Sequence, residues 1–319
     1  MKHLISVNDL DHQFISEIMS RAQEYKQRRQ YKGRDFWDAL SNRLKNRLLI
    51  TDFFEPSTRT RLSFEAAMLY MGGNVIGTEN AAEFSSFKKG ESIADNFHVI
   101  SGYGDIIVGR FLNEGDAHEA ANASLVPLIN GGDGKGEHPT QALIDLFSIV
   151  EKFPDDKAEN LRVTFLGDNK YSRTVQSLAR LLARFACVSE INFIGPEEVN
   201  SELTSFLFEI DTIAENHDHR VTYRVQHQLS PETIGKTDIV YITRSQTERH
   251  YFKGLLEGDF VFTTELADLM PEHGLILHPL PRNSELPVEV DDNPRAYYFE
   301  QARNGLFVRM ALLEALCLT

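Results

Sequence analysis

Leu48-Leu49-Ile50-Thr51-Asp52-Phe53-Phe54 runs into Glu55-Pro56-Ser57-Thr58-Arg59-Thr60-Arg61 and then into Leu62-Ser63-Phe64-Glu65-Ala66-Ala67-Met68-Leu69, which Gly72-Gly73 stops. The first run is apolar almost without alternation, the pattern of a strand buried on both faces, as in parallel sheets. The last run reads as a helix over Leu62–Met71, with Ser57 or Thr58 as its N-cap. Apolar runs of the same kind recur at Asp105–Val108, Leu125–Ile129, Val163–Leu166, Ile191–Ile194, Asp238–Ile242 and Leu275–Leu277. Helical stretches lie between them at Pro139–Phe153, Thr174–Phe185 and Ser201–Glu215. Strands that alternate with helices predict an α/β fold built on parallel sheets.

A chain of 319 residues is long enough for two domains of about 150 residues each. Proline, a charge run and the end of a long helix coincide at Phe153-Pro154-Asp155-Asp156-Lys157, which predicts a first domain over 1–153 and a second over 154–296. The helix from Pro139 would bridge the two. Sequence alone leaves open where the terminal helix, 297–319, packs; it is expected to return to the first domain. With 33 Lys+Arg against 47 Asp+Glu the formal charge is −14. Such a surface repels nucleic acid and anionic membrane on average, since affinity for polyphosphate comes from Lys and Arg. The two cysteines, Cys187 and Cys317, are far apart, which excludes a disulfide scaffold and a CxxC metal site. An N-terminus without a long apolar core and the lack of an 18-residue apolar run predict a soluble, cytoplasmic protein. No metal-ligand spacing and no nucleotide fingerprint stand out, so no cofactor is expected.

Ligands of open parallel sheets bind beyond the carboxyl ends of strands. Two arginines in the first turn of the helix after Phe54 oppose the helix dipole unless an anion is bound there. Residues two apart on a helix point in nearly opposite directions, so Arg59 is the candidate ligand and Arg61 a structural residue. A solvated basic turn paired with Glu55 or Glu65 explains the same residues equally well. Arg110, Arg173 and Arg244 each follow a further strand. His138 and Gln141 stand three apart at a helix start and are able to face one point. Four arginines at four strand ends of an acidic chain, with a histidine and a glutamine, point to a site for highly anionic small molecules split between two domains. No Ser-His-Asp or Cys-His set stands out.

Ser57-Thr58-Arg59-Thr60-Arg61 followed by Leu62-Ser63-Phe64-Glu65 resembles the carbamoyl-phosphate motif of the aspartate/ornithine carbamoyltransferases. Gly136-Glu137-His138-Pro139-Thr140-Gln141, Thr243-Arg244-x-Gln246-x-Glu248-Arg249 and His278-Pro279-Leu280-Pro281-Arg282 resemble the aspartate branch, and the last lacks the cysteine typical of the ornithine branch. The likeness runs from the first strand to Asn304-Gly305-Leu306-Phe307-Val308-Arg309. It implies two domains with an active site between them and at a subunit interface. It also implies transfer of a carbamoyl group from carbamoyl phosphate to the α-amine of L-aspartate, a step of pyrimidine synthesis. By motif, Ser57, Thr58, Arg59 and Thr60 would hold phosphate, and Arg110, His138 and Gln141 would complete the carbamoyl phosphate site. Leu280 and Pro281 would offer backbone carbonyls to the carbamoyl nitrogen. Lys89, Arg173, Arg244 and Gln246 would take aspartate. Ser85 and Lys89 match a loop that a neighbouring subunit inserts, which implies a homotrimer with shared sites; regulatory or dihydroorotase partners stay undecided. The chain departs from the family pattern at Asn96, Phe111, Asn169, Ser172 and Gln176.

Three other readings compete. A cationic acceptor such as ornithine would want acidic groups where Arg173 and Arg244 stand. A non-catalytic scaffold would be expected to have lost some ligands. A nicotinamide-dependent dehydrogenase would need a dinucleotide fingerprint.

Overall fold

The structure is a computed structural model and describes residues 2–31, 38–154, 160–185, 187–244 and 260–318. It divides into two compact units, Met1–Phe147 with Arg303–Thr319, and Ser148–Ala302. The strands are β1 (Leu48–Phe53), β2 (Asn74–Glu79), β3 (Ile106–Phe111), β4 (Leu128–Asp133), β5 (Leu161–Leu166), β6 (Val188–Ile194), β7 (Thr222–Gln226), β8 (Ile239–Ile242) and β9 (Leu275–Leu277). Helices of eight residues or more are α1 (His12–Tyr31), α2 (Thr58–Tyr70), α3 (Ile93–Ile100), α4 (Asp116–Ala123), α5 (Pro139–Lys152), α6 (Arg173–Leu182), α7 (Thr204–Glu215) and α8 (Tyr298–Cys317). Among the described residues no helix is long and apolar enough to cross a membrane.

Each unit holds one sheet, ordered β2-β1-β3-β4 in the first and β7-β6-β5-β8-β9 in the second, and every strand pair is parallel. Parallel neighbours need crossover connections, and helices supply them. Both orders reverse direction at one place, between β1 and β3 and between β5 and β8. There the loops leaving adjacent strands diverge and leave room for a ligand.

The interior strands β1, β3 and β8 are buried on both faces, as their apolar runs predict, and so is the edge strand β9. The edge strands β2 and β7, which the sequence reading does not find, mix exposed and half-buried residues and bury none fully. Two boundaries differ from expectation. Strand β4 begins at Leu128 because Pro127 has no N–H to give a ladder; its carbonyl accepts from Ile107 N–H at 2.9 Å. The strand then continues through Asn130-Gly131-Gly132, which the sequence reads as loop. Helix α2 begins at Thr58, a turn earlier than Leu62. Outside β4, Leu4 forms a parallel bridge to Ile129, its N–H donating to Leu128 O and its carbonyl accepting from Asn130 N–H, both at 2.8 Å.

An aromatic cluster fixes the carboxyl ends of β1 and β3. Phe54 stacks on Phe111 at 6.1 Å between centroids, Phe97 lies 5.4 Å from Phe111, and Phe87 meets the Phe54 ring edge-on at 5.1 Å. In the second unit Leu166, Val240, Ile242, Phe262, Ile276 and Tyr298 share one core. Gly167, just past β5, has φ +120°, and a Cβ there would stand 2.2 Å from Thr243 O, so only glycine fits.

Asp52 is a buried carboxylate of this region, 5% exposed, and takes a 2.7 Å hydrogen bond from Asn96 Nδ2. Burial outweighs that bond and, with the charge of Glu91, pushes its carboxyl up to about 6. The unfolded carboxyl titrates near 3.8, so between these values the native state holds the extra proton and stability falls as pH rises. The shift corresponds to about 3 kcal/mol. Asp52→Asn is therefore expected to stabilise the fold near neutral pH, with the gain closing as pH falls toward about 4. Urea unfolding across that range measures it, and an equal gain at both ends would contradict the assignment.

Candidate active site

In the first unit, the chain leaves β1 and enters α2 through Ser57, an N-cap in extended conformation whose hydroxyl makes no capping bond. The first helical N–H to bond back is that of Arg61, to Ser57 O at 3.0 Å. The first-turn N–H groups of Thr58, Arg59 and Thr60 therefore have no intrahelical acceptor, and no acidic residue stands in that turn. This is the standard electrostatics of an anion-binding helix end.

The two arginines of the turn have separate duties. Arg61 is spent internally: Nε pairs with Glu65 at 2.7 Å and Nη1 with Glu79 at 2.8 Å. Arg59 is accessible and makes no ion pair among the described residues; partial desolvation and the charge of Arg110 push its guanidinium down. Arg110, in β3, is 8% exposed. One Nη pairs with Glu55 at 3.0 Å, the other donates to Gly131 O at 3.3 Å, and Nε is buried without a partner. Thr60 is buried, and its methyl lies 3.5 Å from where a Cβ on Gly131 would be.

His138 is buried at the N-cap of α5, and its carbonyl accepts from Gln141 and Ala142 at 3.0 and 3.2 Å. Pro139 fills the first helical position, where its missing N–H costs nothing. Gln141 Nε2 donates to Asp145 at 2.7 Å. The neighbouring Glu137 carboxylate accepts from Ser6 Oγ at 2.7 Å and Val7 N–H at 2.8 Å, which anchors the approach to His138. Ser85 caps a short 3₁₀ turn, Ser86–Lys89, by accepting from Phe87 N–H, and Lys89 is exposed.

The second unit repeats the arrangement at its own reversal point. Arg173 opens α6 after β5 and is 6% exposed; Arg244 follows β8 and is half-buried. The residues just before them, Ser172 and Thr243, touch through their hydroxyls at 3.0 Å, which holds the two loops together. Leu280 and Pro281 lie past β9. His278 Nδ1 accepts from Leu280 N–H at 2.8 Å, so Nε2 carries the proton and donates to Glu285 at 2.9 Å. Burial alone would raise the Glu285 carboxyl; the hydrogen bonds from His278 and Asn283 N–H outweigh it and hold it low. Gln246, with the rest of its motif after Arg244, lies outside the described residues. Among the described residues no three His, Cys, Asp or Glu side chains are grouped so as to hold a metal.

Each unit thus sets guanidinium groups where two adjacent parallel strands end and their loops part, an arrangement made for acidic small molecules. The family model for the carbamoyl-P binding domain of aspartate/ornithine carbamoyltransferases matches residues 2–151, and that for the Asp/Orn binding domain matches 159–316. The chain belongs to the aspartate/ornithine carbamoyltransferase family. It is 41% identical to a chloroplastic aspartate carbamoyltransferase of Arabidopsis thaliana, over 99% of this chain and 78% of that one. It is 40% identical to an aspartate carbamoyltransferase catalytic subunit of Shewanella halifaxensis, over 98% and 94%. Its fold superposes on aspartate transcarbamoylase of Trypanosoma cruzi, solved with aspartate and phosphate, at a TM-score of 0.87 and 32% identity, covering 99% and 95%. The catalytic subunit of M. jannaschii aspartate transcarbamoylase gives 0.84 and 37%, covering 99% and 98%.

One residue of this region is absent from the sequence-derived set. Arg309 of α8 is 3% exposed, and burial, Arg110 and Arg59 together push its guanidinium down to about 9. The different surroundings of the two first-turn arginines give a direct comparison. Arg61→Met is expected to lower stability by about 1–2 kcal/mol, through lost, partly buried ion pairs, and to leave phosphate affinity within about twofold. Arg59→Ala is expected to do the reverse. Thermal unfolding and phosphate titration of both variants read the difference.

Proposed function

We propose that the chain catalyses transfer of the carbamoyl group of carbamoyl phosphate to the α-amine of L-aspartate, giving N-carbamoyl-L-aspartate and phosphate for pyrimidine biosynthesis. The observation that carries this reading is the accessible, unpaired Arg59 beside Arg110 at an uncapped helix end. Both substrates are dianions and need concentrated cations. Phosphate is held by Ser57, Thr58, Arg59 and Thr60, through hydroxyls, first-turn N–H groups and the guanidinium. Arg59, Thr60, Arg110 and His138 stabilise the charge that develops on the carbamoyl oxygen, with Gln141 nearby, and the Leu280 and Pro281 carbonyls accept from the carbamoyl nitrogen. Arg173 and Arg244 take the carboxylates of aspartate, with Gln246.

The aspartate amine attacks the carbamoyl carbon. Charge gathers on the carbonyl oxygen, where fixed donors stabilise it, and the bond to the phosphate oxygen then breaks. The amine proton leaves with the phosphate, so no protein base is needed. Orientation of two bound substrates and preorganised positive charge supply the rate. Ser85 and Lys89 come from the neighbouring subunit of a homotrimer, and the lack of a disulfide at Cys187 and Cys317 supports a reducing, cytoplasmic setting.

Purified protein given carbamoyl phosphate with aspartate or ornithine, and assayed for phosphate and carbamoylated product, tests the reading. Product with aspartate alone is expected. Arg59→Ala should lower turnover by about 10³-fold, and Arg244→Ala should raise the aspartate KM about tenfold or more. Near-normal turnover in the first variant, or unchanged aspartate dependence in the second, would remove that residue from its role.

A further inference from the structure

The cationic cluster of the first unit includes a side chain delivered from the far end of the sequence. Arg309 is nine-tenths buried and more, yet among the described residues it has no ion pair. Its Nη1 donates to Ser63 Oγ, its guanidinium lies 4.8 Å over the Phe64 ring, and its Nε is buried without a partner. The Ser63 hydroxyl in turn bonds the Thr60 carbonyl at 3.0 Å and also contacts the Arg59 carbonyl. Arg309 is therefore joined through one hydroxyl to the backbone of Arg59 and Thr60, two residues of the anion-binding turn.

The seat is built for it. A Cβ on Gly305, one turn earlier in α8, would stand 2.9 Å from Arg309 Nη1. Glycine weakens a helix interior, so the helix gives up stability at that position to admit the guanidinium. Elsewhere on α8 the charge is answered: Glu314 accepts ion pairs from Arg21 at 2.6 Å and Arg43 at 3.0 Å. Burying a cation without a counter-charge is costly, and Arg59 and Arg110 add repulsion to that cost. A residue kept only for packing would be better neutral.

We propose that Arg309 is a positioning residue of the phosphate site: it fixes the first turn of α2 through Ser63 and adds a third, deliberately unanswered positive charge that a bound phosphate dianion completes. The proposal rests on the reading of Arg59 and its turn as the phosphate-binding element.

Arg309→Met keeps length and apolar contact with Phe64 while removing charge and hydrogen bond. It is expected to raise the Kd for inorganic phosphate and the KM for carbamoyl phosphate about tenfold, with the aspartate KM changed far less. Without phosphate its thermal midpoint should equal or exceed that of the wild type, and the rise in midpoint caused by added phosphate should shrink. Arg309→Lys, which keeps the charge, should restore part of the affinity. A lower midpoint with unchanged phosphate affinity would mean a packing role only and would overturn the proposal. Ser63→Ala, a milder change, tests the link if Arg309→Met does not fold: phosphate binding should weaken several-fold, and wild-type affinity would overturn it. Wild-type protein that binds phosphate but makes no carbamoylaspartate would instead overturn the functional reading and leave the assignment of Arg309 standing.

Discussion

Guanidinium groups gathered where parallel strands end repel one another, and the first unit is organised to hold them there. Arg110 is set by the β3 register and braced by Glu55 and the Gly131 carbonyl. Arg59 is carried by the first turn of α2, and Arg309 sits beneath it on Ser63 and Phe64. Among the described residues one carboxylate, Glu55, pairs with these three cations, so the cluster keeps a standing demand for negative charge. On the proposed reading, substrate satisfies that demand, and binding and stability are coupled. The second unit solves the same problem with fewer groups: the Ser172–Thr243 contact fixes the loops that carry Arg173 and Arg244 at the one place where the strand order reverses.

The interior of both sheets is legible in the sequence because strands buried on two faces leave unbroken apolar runs. The exposed edge strands β2 and β7 do not. Asn74–Glu79 and Thr222–Gln226 have no fully buried residue, and their mixed composition resembles loop. Helix α1 escapes notice because His12–Tyr31 is largely polar. The glycines after Ile129 suggest a loop, but β4 continues through them because its neighbours approach closely: a Cβ on Gly131 would meet the Gly109 carbonyl at 3.1 Å. In the candidate site, the basic first turn of α2 is conspicuous from electrostatics alone, since cations oppose the dipole. Arg309 gives no such local signal. It reads as one more arginine on a helix, and its meaning comes from packing against residues about 250 positions away in the chain.

The departures from the family pattern find their explanation in local bonding. Asn96 answers the buried Asp52, and Phe111 completes the aromatic cluster with Phe54 and Phe97. Asn169 donates to Ile194 O at 3.1 Å, Gln176 donates to the Lys170 carbonyl, and Ser172 reaches Thr243.

The attachment of residues 4–7 has a consequence for handling the protein. Leu4 covers the outer edge of β4, a strand buried along its whole length, while Ser6 and Val7 hold the Glu137 carboxylate next to His138. Proteolytic trimming of that segment would uncover a row of unpaired backbone groups, a template for strand addition by another chain. Loss of the first few residues would therefore show itself as self-association before it showed as failed chemistry, and a nicked preparation would be recognised by its turbidity.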